Sequence, residues 1–353
     1  MHSSAVSAWV SLYAMTARLK DVASRAGVSV KTVSNVVNNK PYVKPETRQR
    51  VEAAVKELGY RPNIAARQLK RGRSGFIGLV VPEFETPYFA ELASRIWAEA
   101  ERHGYTTLLN LTGADPKLER SAFQGVGNQL IDGLIFSPQA LSGPQIIERT
   151  EALPMVMLGE QPVPTGLDHV AIDSVRAARK ATDHLLARGH RRIGAIGLST
   201  GRGTSLQRAE GYRQALRAAG IPIDQELAVG VPSYSRRAGH AAMNRLLCLP
   251  EPPTAVFCFN DAMAVGAIRA CYEAGISVPR EMAVAGIDDI PEGRYITPSL
   301  TTVSPDLEFL ARETIRLLLR RIEAVASDDT PPGVDISVPW RLTIRESTGG
   351  AGS

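Results

Sequence analysis

The sequence predicts a small all-α domain at the front of the chain, followed by a larger, two-lobed α/β body. Between residues 19 and 59 apolar side chains recur at helical spacing, whereas from Phe76 onward short continuous apolar runs alternate with helical stretches. Continuous apolar strands separated by helices are typical of parallel sheets that are covered on both faces. The two parts of the chain therefore belong to different fold classes.

The front module is predicted to contain three short helices. The first covers residues 19–26, and Gly27 then suits a tight turn. Ser29 is a favourable N-cap for the second helix, while Pro45 suits the start of a third helix that Gly59 ends. Two short helices joined by a glycine turn and braced by a third make a helix-turn-helix.

The second helix of such a motif enters the major groove of DNA with its first residues. Lys31 can reach guanine or a phosphate, Asn35 can pair with a base edge, and Val30 can only make apolar contact. Most of the remaining candidates are neutral donors that can hold phosphates. The predicted DNA interface consists of Leu19, Ser29, Val30, Lys31, Thr32, Ser34, Asn35, Asn38, Tyr42 and Thr47. A helical bundle that contacts another protein is the alternative.

Positive charge is concentrated in and just behind this module. Residues 17–73 hold 14 Lys and Arg against 4 Asp and Glu, a net charge of +10, although the whole chain carries only +5. Such a concentration on a small module is typical of proteins that bind nucleic acids. A solvated lysine-rich face would give the same count.

Three segments, KDVASRAGVSVKTVSNVVN, YVKPETRQRVEAAVKELGYRPN and ARQLKRGRSGFIGLVVP, follow one another almost without gaps. Together they resemble the lactose-repressor/galactose-repressor family of bacterial transcription regulators, and the resemblance extends over residues 17–348. It implies a periplasmic-binding-protein-like body and a homodimer that binds double-stranded operator DNA. It also implies a small-molecule effector, with a sugar or sugar derivative favoured and a purine as the alternative.

Residues 63–73 read on their own as a helical linker with its basic side chains in solvent. The resemblance implies instead a hinge helix that forms on operator DNA and inserts an apolar wedge into the minor groove. The matching wedge residue is Leu69, with Ala66 packed beside it.

Eight strand-like runs follow the linker, which is more than one compact sheet holds. They are FIGLVVP, TTLLNL, GLIFSP, PMVMLG, HVAID, RIGAIGL, AVFCFN and MAVAGID. We therefore expect two lobes with a cleft between them. Because ligands of open α/β sheets lie beyond the carboxyl ends of the strands, the cleft is the expected pocket.

Polar residues at the predicted strand ends are candidates for this pocket. Asn260 and Asp261 follow one run, Asp288 and Asp289 follow another, and Arg208 opens a helix. A guanidinium beside a carboxylate and an amide suits a polyhydroxyl or heterocyclic ligand. Asp261 and Asp289 could equally be plain helix caps.

The resemblance narrows these candidates and adds aromatic ones. It implies that the effector is contacted by Tyr88, Phe89, Arg208, Tyr234, Asn260, Asp288 and Leu307. In the segment MLGEQ the chain departs from the family pattern. Gly159 stands where some sugar-binding members have an acidic residue, and Glu160 follows it. The resemblance therefore does not point to one particular sugar.

P-loop, dinucleotide-binding and HExxH metal motifs are missing from the sequence. GRGTS is too short for a P-loop, no GxGxxG follows the first strand, and HExxH does not occur. We therefore expect no catalysis, no cofactor and no metal site. A solute-binding protein or sugar-processing enzyme with an incidental front module is the alternative class.

No apolar run approaches the ~20 residues that cross a bilayer, so no membrane partner is expected. The three cysteines show no CxxC spacing, which fits a reducing, cytoplasmic compartment. The first lysine or arginine is Arg18, so the opening residues lack the charge pattern of a signal peptide. The expected domains are a tail or misassigned start (1–16, with Met15 as the other start), the helix-turn-helix (17–62), the hinge (63–73), the body (74–348) and a short tail (349–353).

Overall fold

The computed structural model divides into two compact units, of which the first ends at Ser74 and the second begins at Gly75. The residues that the structure describes are 17–37, 40–60, 73–124, 131–141, 145–146, 153–161, 166–198, 203–327 and 331–350.

The first unit contains the three predicted helices, which are α1 (Leu19–Ala26), α2 (Val30–Val37) and α3 (Pro45–Glu57). Val22, Val33 and Val51, one from each helix, are fully buried and form the centre of its small core. The left-handed backbone of Gly27, with φ of 64°, turns the chain between α1 and α2. The Ser29 hydroxyl oxygen then accepts the backbone N–H of Thr32 at 3.1 Å and so caps α2, as predicted.

The second unit contains two six-stranded sheets, each the centre of one lobe. Lobe 1 is built from β1 (Phe76–Val81), α4 (Pro87–Arg102), β2 (Thr106–Leu111), α5 (Pro116–Gln124), β3 (Gly133–Phe136), β4 (Met155–Leu158), β5 (Asp168–Ala171), α11 (Leu307–Ala326) and β11 (Asp335–Ser337). Its strands lie in the order β11-β5-β4-β3-β1-β2, and every pair is parallel.

Lobe 2 has the same plan with one antiparallel edge. It is built from α6 (Ser174–Ala187), β6 (Ile193–Leu198), α7 (Gly203–Ala218), β7 (Ala228–Gly230), α8 (Arg236–Leu247), β8 (Ala255–Cys258), α9 (Asp261–Glu273), β9 (Ala283–Ile287), α10 (Glu292–Tyr295), β10 (Thr301–Pro305) and β12 (Trp340–Thr343), with short 3-10 helices at Gln225–Leu227 and Glu346–Thr348. The strand order is β12-β10-β9-β8-β6-β7, and only β12 runs antiparallel to its neighbour.

The chain passes between the lobes three times, after β5, after β10 and after β11. Two hydrogen bonds join these crossovers: the N–H of Val338 donates to the carbonyl of Ala171 at 2.8 Å, and the N–H of Asp306 donates to that of Pro339 at 2.9 Å. Because β10 and β12 lie in lobe 2 while α11 and β11 lie in lobe 1, neither lobe is a continuous stretch of sequence.

The two-lobed fold is confirmed, but the sequence prediction found eight of the twelve strands in the part of the chain that the structure describes. The missed strands are β7, β10, β11 and β12, which are short or polar. Strand β10, with the sequence TTVSP, is nevertheless almost wholly buried, because its hydroxyl groups have protein partners. A buried strand of this kind lacks the apolar run on which the prediction depended.

Close packing of α8 against α9 depends on one glycine in each helix. A Cβ added at Gly266 would overlap the backbone oxygen of Arg236, and one added at Gly239 would overlap that of Met263. Backbone atoms cannot move aside as a flexible side chain can, so the two helices would have to separate.

We therefore expect Gly266→Ala to destabilise the protein by at least ~1–3 kcal/mol, the usual cost of overpacking a close-packed core. Arg269→Ala on the exposed face of the same helix should change stability by no more than ~0.5 kcal/mol. Urea unfolding followed by circular dichroism measures both variants. Equal stability of the two would show that the helix contact tolerates a methyl group.

Candidate functional site

The predicted major-groove face lies at the start of α2. Val30 is 48% exposed and Lys31 is also exposed, so both side chains are available to a partner. Asn35, one turn further along the helix, is half-buried and accepts a hydrogen bond of 3.4 Å from the hydroxyl of the exposed Tyr42. One face thus presents an apolar group, a cation and an amide together.

The other predicted DNA contacts differ in their hydrogen bonds and in how deeply their side chains are buried. The hydroxyls of Ser29 and Thr32 lie 2.9 Å apart, and both belong to the cap of α2. Ser34 and Thr47 are half-buried, and Leu19 packs against the core of the unit. Asn38, Ala66 and Leu69 lie outside the described residues.

In the second unit, the expected pocket lies between the two lobes, where the carboxyl ends of both sets of strands meet. It has a volume of about 110 Å³. Six of the seven predicted effector residues line it: Tyr88, Phe89, Arg208, Tyr234, Asn260 and Asp288. Leu307 does not; it lies at the start of α11, packs against the lobe 1 core and lines a neighbouring cavity.

Arg208, on α7, is the central charged group of the pocket and is only 6% exposed. Its Nη1 lies 3.8 Å from the Asp288 carboxylate and donates to the carbonyl of Phe259. Its Nη2 lies 3.2 Å from the Glu160 carboxylate, which comes from the other lobe. A buried cation is therefore held between two carboxylates.

Glu160 is a charged pocket residue that the sequence analysis did not select as an effector contact. Its carboxylate accepts hydrogen bonds from the hydroxyls of Ser174 and Thr204, each at 2.7 Å, in addition to the one from Arg208. Its carbonyl accepts a further bond of 3.0 Å from Gln207. All four partners belong to lobe 2, so this one residue of lobe 1 joins the two lobes.

The two carboxylates on Arg208 differ in their tendency to ionise. Burial alone would raise the pKa of Glu160, but Arg208 and the two hydroxyl donors outweigh it and bring that pKa below its ordinary value. Burial raises the pKa of Asp288 well above its ordinary value; Arg208 opposes this change, while Asp261 and Glu160 add to it. Glu160 is thus the main counter-ion of Arg208.

Aromatic rings form another part of the wall. Tyr88 and Phe89, at the start of α4, meet edge to face with their centroids 5.2 Å apart. Burial raises the pKa of Tyr88, and the carboxylates of Asp288 and Glu160 raise it further, so the phenol stays protonated. From lobe 2, the hydroxyl of Tyr234 donates to the carbonyl of Gly197 at 3.0 Å.

Comparison with known proteins decides the family. A family model of bacterial regulatory proteins of the lacI family matches residues 18–63, and a model of a periplasmic binding protein-like domain matches residues 182–348. The HTH-type transcriptional repressor PurR of Mannheimia succiniciproducens is 37% identical over 309 residues, which cover 87% of this chain and 92% of that protein. The chain belongs to the lacI family of bacterial regulatory proteins. This confirms the resemblance that its front segments carry.

Solved lacI-type structures share its fold. A lac repressor dimer bound to operator and the anti-inducer ONPF is 28% identical, with a TM-score of 0.80. A complex of the transcriptional regulator CelR with cellobiose is 31% identical, with a TM-score of 0.70. Each comparison covers 94% of this chain and 99% of the other. The lacI family consists of transcriptional regulators rather than enzymes.

Two kinds of feature are absent from the described residues. They contain no cluster of three or more His, Cys, Asp or Glu side chains that could hold a metal ion. None of the helices in that part of the chain is both long enough and apolar enough to cross a bilayer.

The remaining two acidic candidates of this lacI-family chain are held by protein groups. Asp289 accepts hydrogen bonds from Arg345 at 2.6 Å and from Arg294 at 3.1 Å. The fully buried Asp261 accepts from the Thr302 hydroxyl at 2.6 Å and from a backbone N–H at 3.0 Å. Neither lines the pocket between the lobes, and their hydrogen bonds support the turn that carries Asp288.

Asp261 should make stability depend on pH. Burial raises its pKa from 3.8 to about 7. The two hydrogen bonds lower this pKa, whereas the neighbouring Asp289 raises it further. The folded protein therefore binds this proton more tightly than the unfolded chain does. Its contribution to stability is complete below pH 3.8 and disappears as the pH rises to about 7.

We expect Asp261→Asn to remove this dependence. Between pH 5 and pH 7 the free energy of unfolding of the wild type should fall, relative to that of the variant, by up to about 1.4 kcal/mol per pH unit. Because Asp261 also adds to the rise in the pKa of Asp288, the difference between the two profiles reports Asp261 together with its effect on Asp288. Urea unfolding at several pH values measures it, and parallel profiles would contradict the assignment.

Proposed function

We propose that this chain is a transcriptional repressor that binds a palindromic operator as a homodimer and changes its DNA affinity when a small sugar occupies the pocket. One observation carries the proposal: a helix-turn-helix with an exposed groove-reading face occurs in the same chain as a two-lobed body with a buried polar pocket. Repressors among its relatives support the DNA-binding half.

A sugar suits the groups that surround the pocket. The aromatic pair Tyr88 and Phe89 offers apolar ring surface, while Arg208, Asn260 and Asp288 supply directional hydrogen-bonding groups. Sugars combine apolar ring faces with hydroxyl groups and so match both. The CelR neighbour, a complex with cellobiose, supports this choice, and a purine is the alternative.

Homodimerisation is supported by apolar side chains that lobe 1 leaves in solvent. Trp97 on α4 is 51% exposed, and Leu109 and Leu111 on the edge strand β2 are 47% and 46% exposed. Leu109 and Leu111 share one face of this edge strand, and contiguous exposed apolar groups commonly mark protein contacts. The lac repressor neighbour is a dimer on operator, and a symmetric dimer places two recognition helices on a palindromic site.

The proposed mechanism links the pocket to DNA through the contact between the lobes. An effector between Tyr88 and Asp288 touches both lobes, so it favours whichever lobe arrangement it binds more tightly. That preference would reach the operator through the proposed hinge, residues 63–73, with Leu69 as its wedge. The effector can change DNA affinity only by its difference in affinity for the two arrangements.

The proposal is tested by selecting an operator from random DNA with the full-length protein. The bound sequences should be palindromic, and their footprint should respond to a sugar from a panel of sugars and purines. A footprint without symmetry would contradict the dimer. A response to purines alone would show that the effector is a purine rather than a sugar.

Lys31→Ala should reduce operator affinity by ~1–3 kcal/mol, because a side chain that reads a base discriminates by about that amount. Affinity for random DNA should fall much less. Lys56→Ala, an equal loss of charge on α3, is the matched control and should leave the ratio of the two affinities unchanged. Fluorescence anisotropy measures the affinity of each of the two variants for operator and for random DNA. An equal loss on both DNAs would reassign Lys31 to a phosphate.

Asp288→Asn should abolish the effector response and leave operator affinity unchanged in the absence of effector. Asparagine has the shape of aspartate and, like it, occurs at positive φ more often than most residues, so the turn, where φ is 123°, is retained. The control Asp183→Asn makes the same change on the outside of α6. Calorimetric titration with the effector from the screen measures binding by both variants. Unchanged binding by the Asp288→Asn variant would show that Asp288 does not contact the effector.

A further inference from the structure

Glu160 enters the pocket from the turn after β4. Gly159 adopts a left-handed backbone with φ of 92°, which redirects the chain at the end of the strand. The next side chain then reaches Ser174, Thr204 and Arg208 across the cleft. Its carboxylate is 11% exposed, so water screens its charge only weakly.

Protein groups already occupy the guanidinium of Arg208. Its Nε donates to the Ser174 hydroxyl at 3.4 Å, its Nη1 donates to the carbonyl of Phe259, and its Nη2 donates to Glu160. An incoming anion would therefore have to displace Glu160 to obtain the paired hydrogen bonds that an arginine normally offers a phosphate.

The charges that line the pocket also disfavour an anion. Among the described lining residues, the acidic groups are Glu83, Glu160 and Asp288, and the basic group is Arg208. Glu160 compensates the charge of Arg208, which leaves no excess of positive charge on this wall. A phosphate monoester brings a charge of about −1.5 to −2 at neutral pH.

From this arrangement we infer that Glu160 restricts the effector to uncharged molecules, so that a free sugar is accepted and its phosphorylated form is excluded. The inference rests on the proposed function, because it concerns the effector of that same pocket. Hydroxyl groups of a free sugar can donate to the carboxylates without separating Glu160 from Arg208. A phosphate group meets the ionised Glu160 at close range, in a site where repulsion between like charges is strong.

The test compares matched pairs of probes on the full-length wild type. The pairs are glucose and glucose 6-phosphate, fructose and fructose 6-phosphate, ribose and ribose 5-phosphate, and adenosine and AMP. Inorganic phosphate is an added probe that does not depend on the identity of the sugar. Binding is measured by calorimetry and thermal shift without DNA, at constant ionic strength set with chloride.

Three variants separate charge from contact. Glu160→Gln keeps the size of the side chain and removes its charge, so it should bind phosphorylated probes or inorganic phosphate at least tenfold more tightly than the wild type does. Glu160→Asp keeps the charge with a shorter reach and should continue to exclude them. Glu251→Gln makes the same change in charge on an exposed loop and should behave as the wild type.

Two results would overturn the inference. One is a wild type that binds a phosphorylated probe as tightly as its uncharged partner, or more tightly. The other is a folded Glu160→Gln variant that gains no affinity for inorganic phosphate or for any phosphorylated probe. Operator binding is measured separately by anisotropy. If the proposed function is wrong, the protein will not bind an operator, or its binding will not change with any effector. That result does not depend on which charge the pocket accepts.

Discussion

The structure of the body depends on the burial of one guanidinium between two lobes. A buried ion without partners costs several kcal/mol, so Arg208 must keep anionic groups beside it. Its main counter-ion, Glu160, comes from lobe 1, and the more distant Asp288, whose pKa burial raises, comes from lobe 2. The electrostatic requirement of one side chain therefore holds the lobes together at the place where an effector would bind. In the proposed function, recognition of the ligand and contact between the lobes depend on the same atoms, which suits a switch.

The turn that carries Asp288 is prepared for this role by its backbone. Asp288 and Asp289 both have positive φ, a conformation that costs a residue other than glycine ~1–3 kcal/mol unless its surroundings enforce it. Here the surroundings do so, through the bonds of Arg345 to Asp289 and of a backbone N–H to Asp261. The carboxylate of Asp288, which lines the pocket, is thus fixed by buried neighbours that do not line it.

Local patterns made much of this molecule predictable. The helix-turn-helix follows from apolar spacing, a glycine turn and a serine cap, and strand ends led to Arg208, Asn260 and Asp288 as pocket candidates. The missed features depend on distant partners. Strand β10 is buried only because Asp261, Thr343 and Arg345 satisfy its hydroxyl groups. The role of Glu160 depends on α6 and α7, and no local pattern of residues records such contacts.

The three crossovers between the lobes have a mechanical consequence. Hydrogen bonds join them side by side, from Val338 to Ala171 and from Asp306 to Pro339, so they form one hinge rather than three independent connections. Such a hinge bends easily about one axis and resists twisting and sliding. A change in the cleft therefore reaches the two lobes most easily as a change in the angle between them.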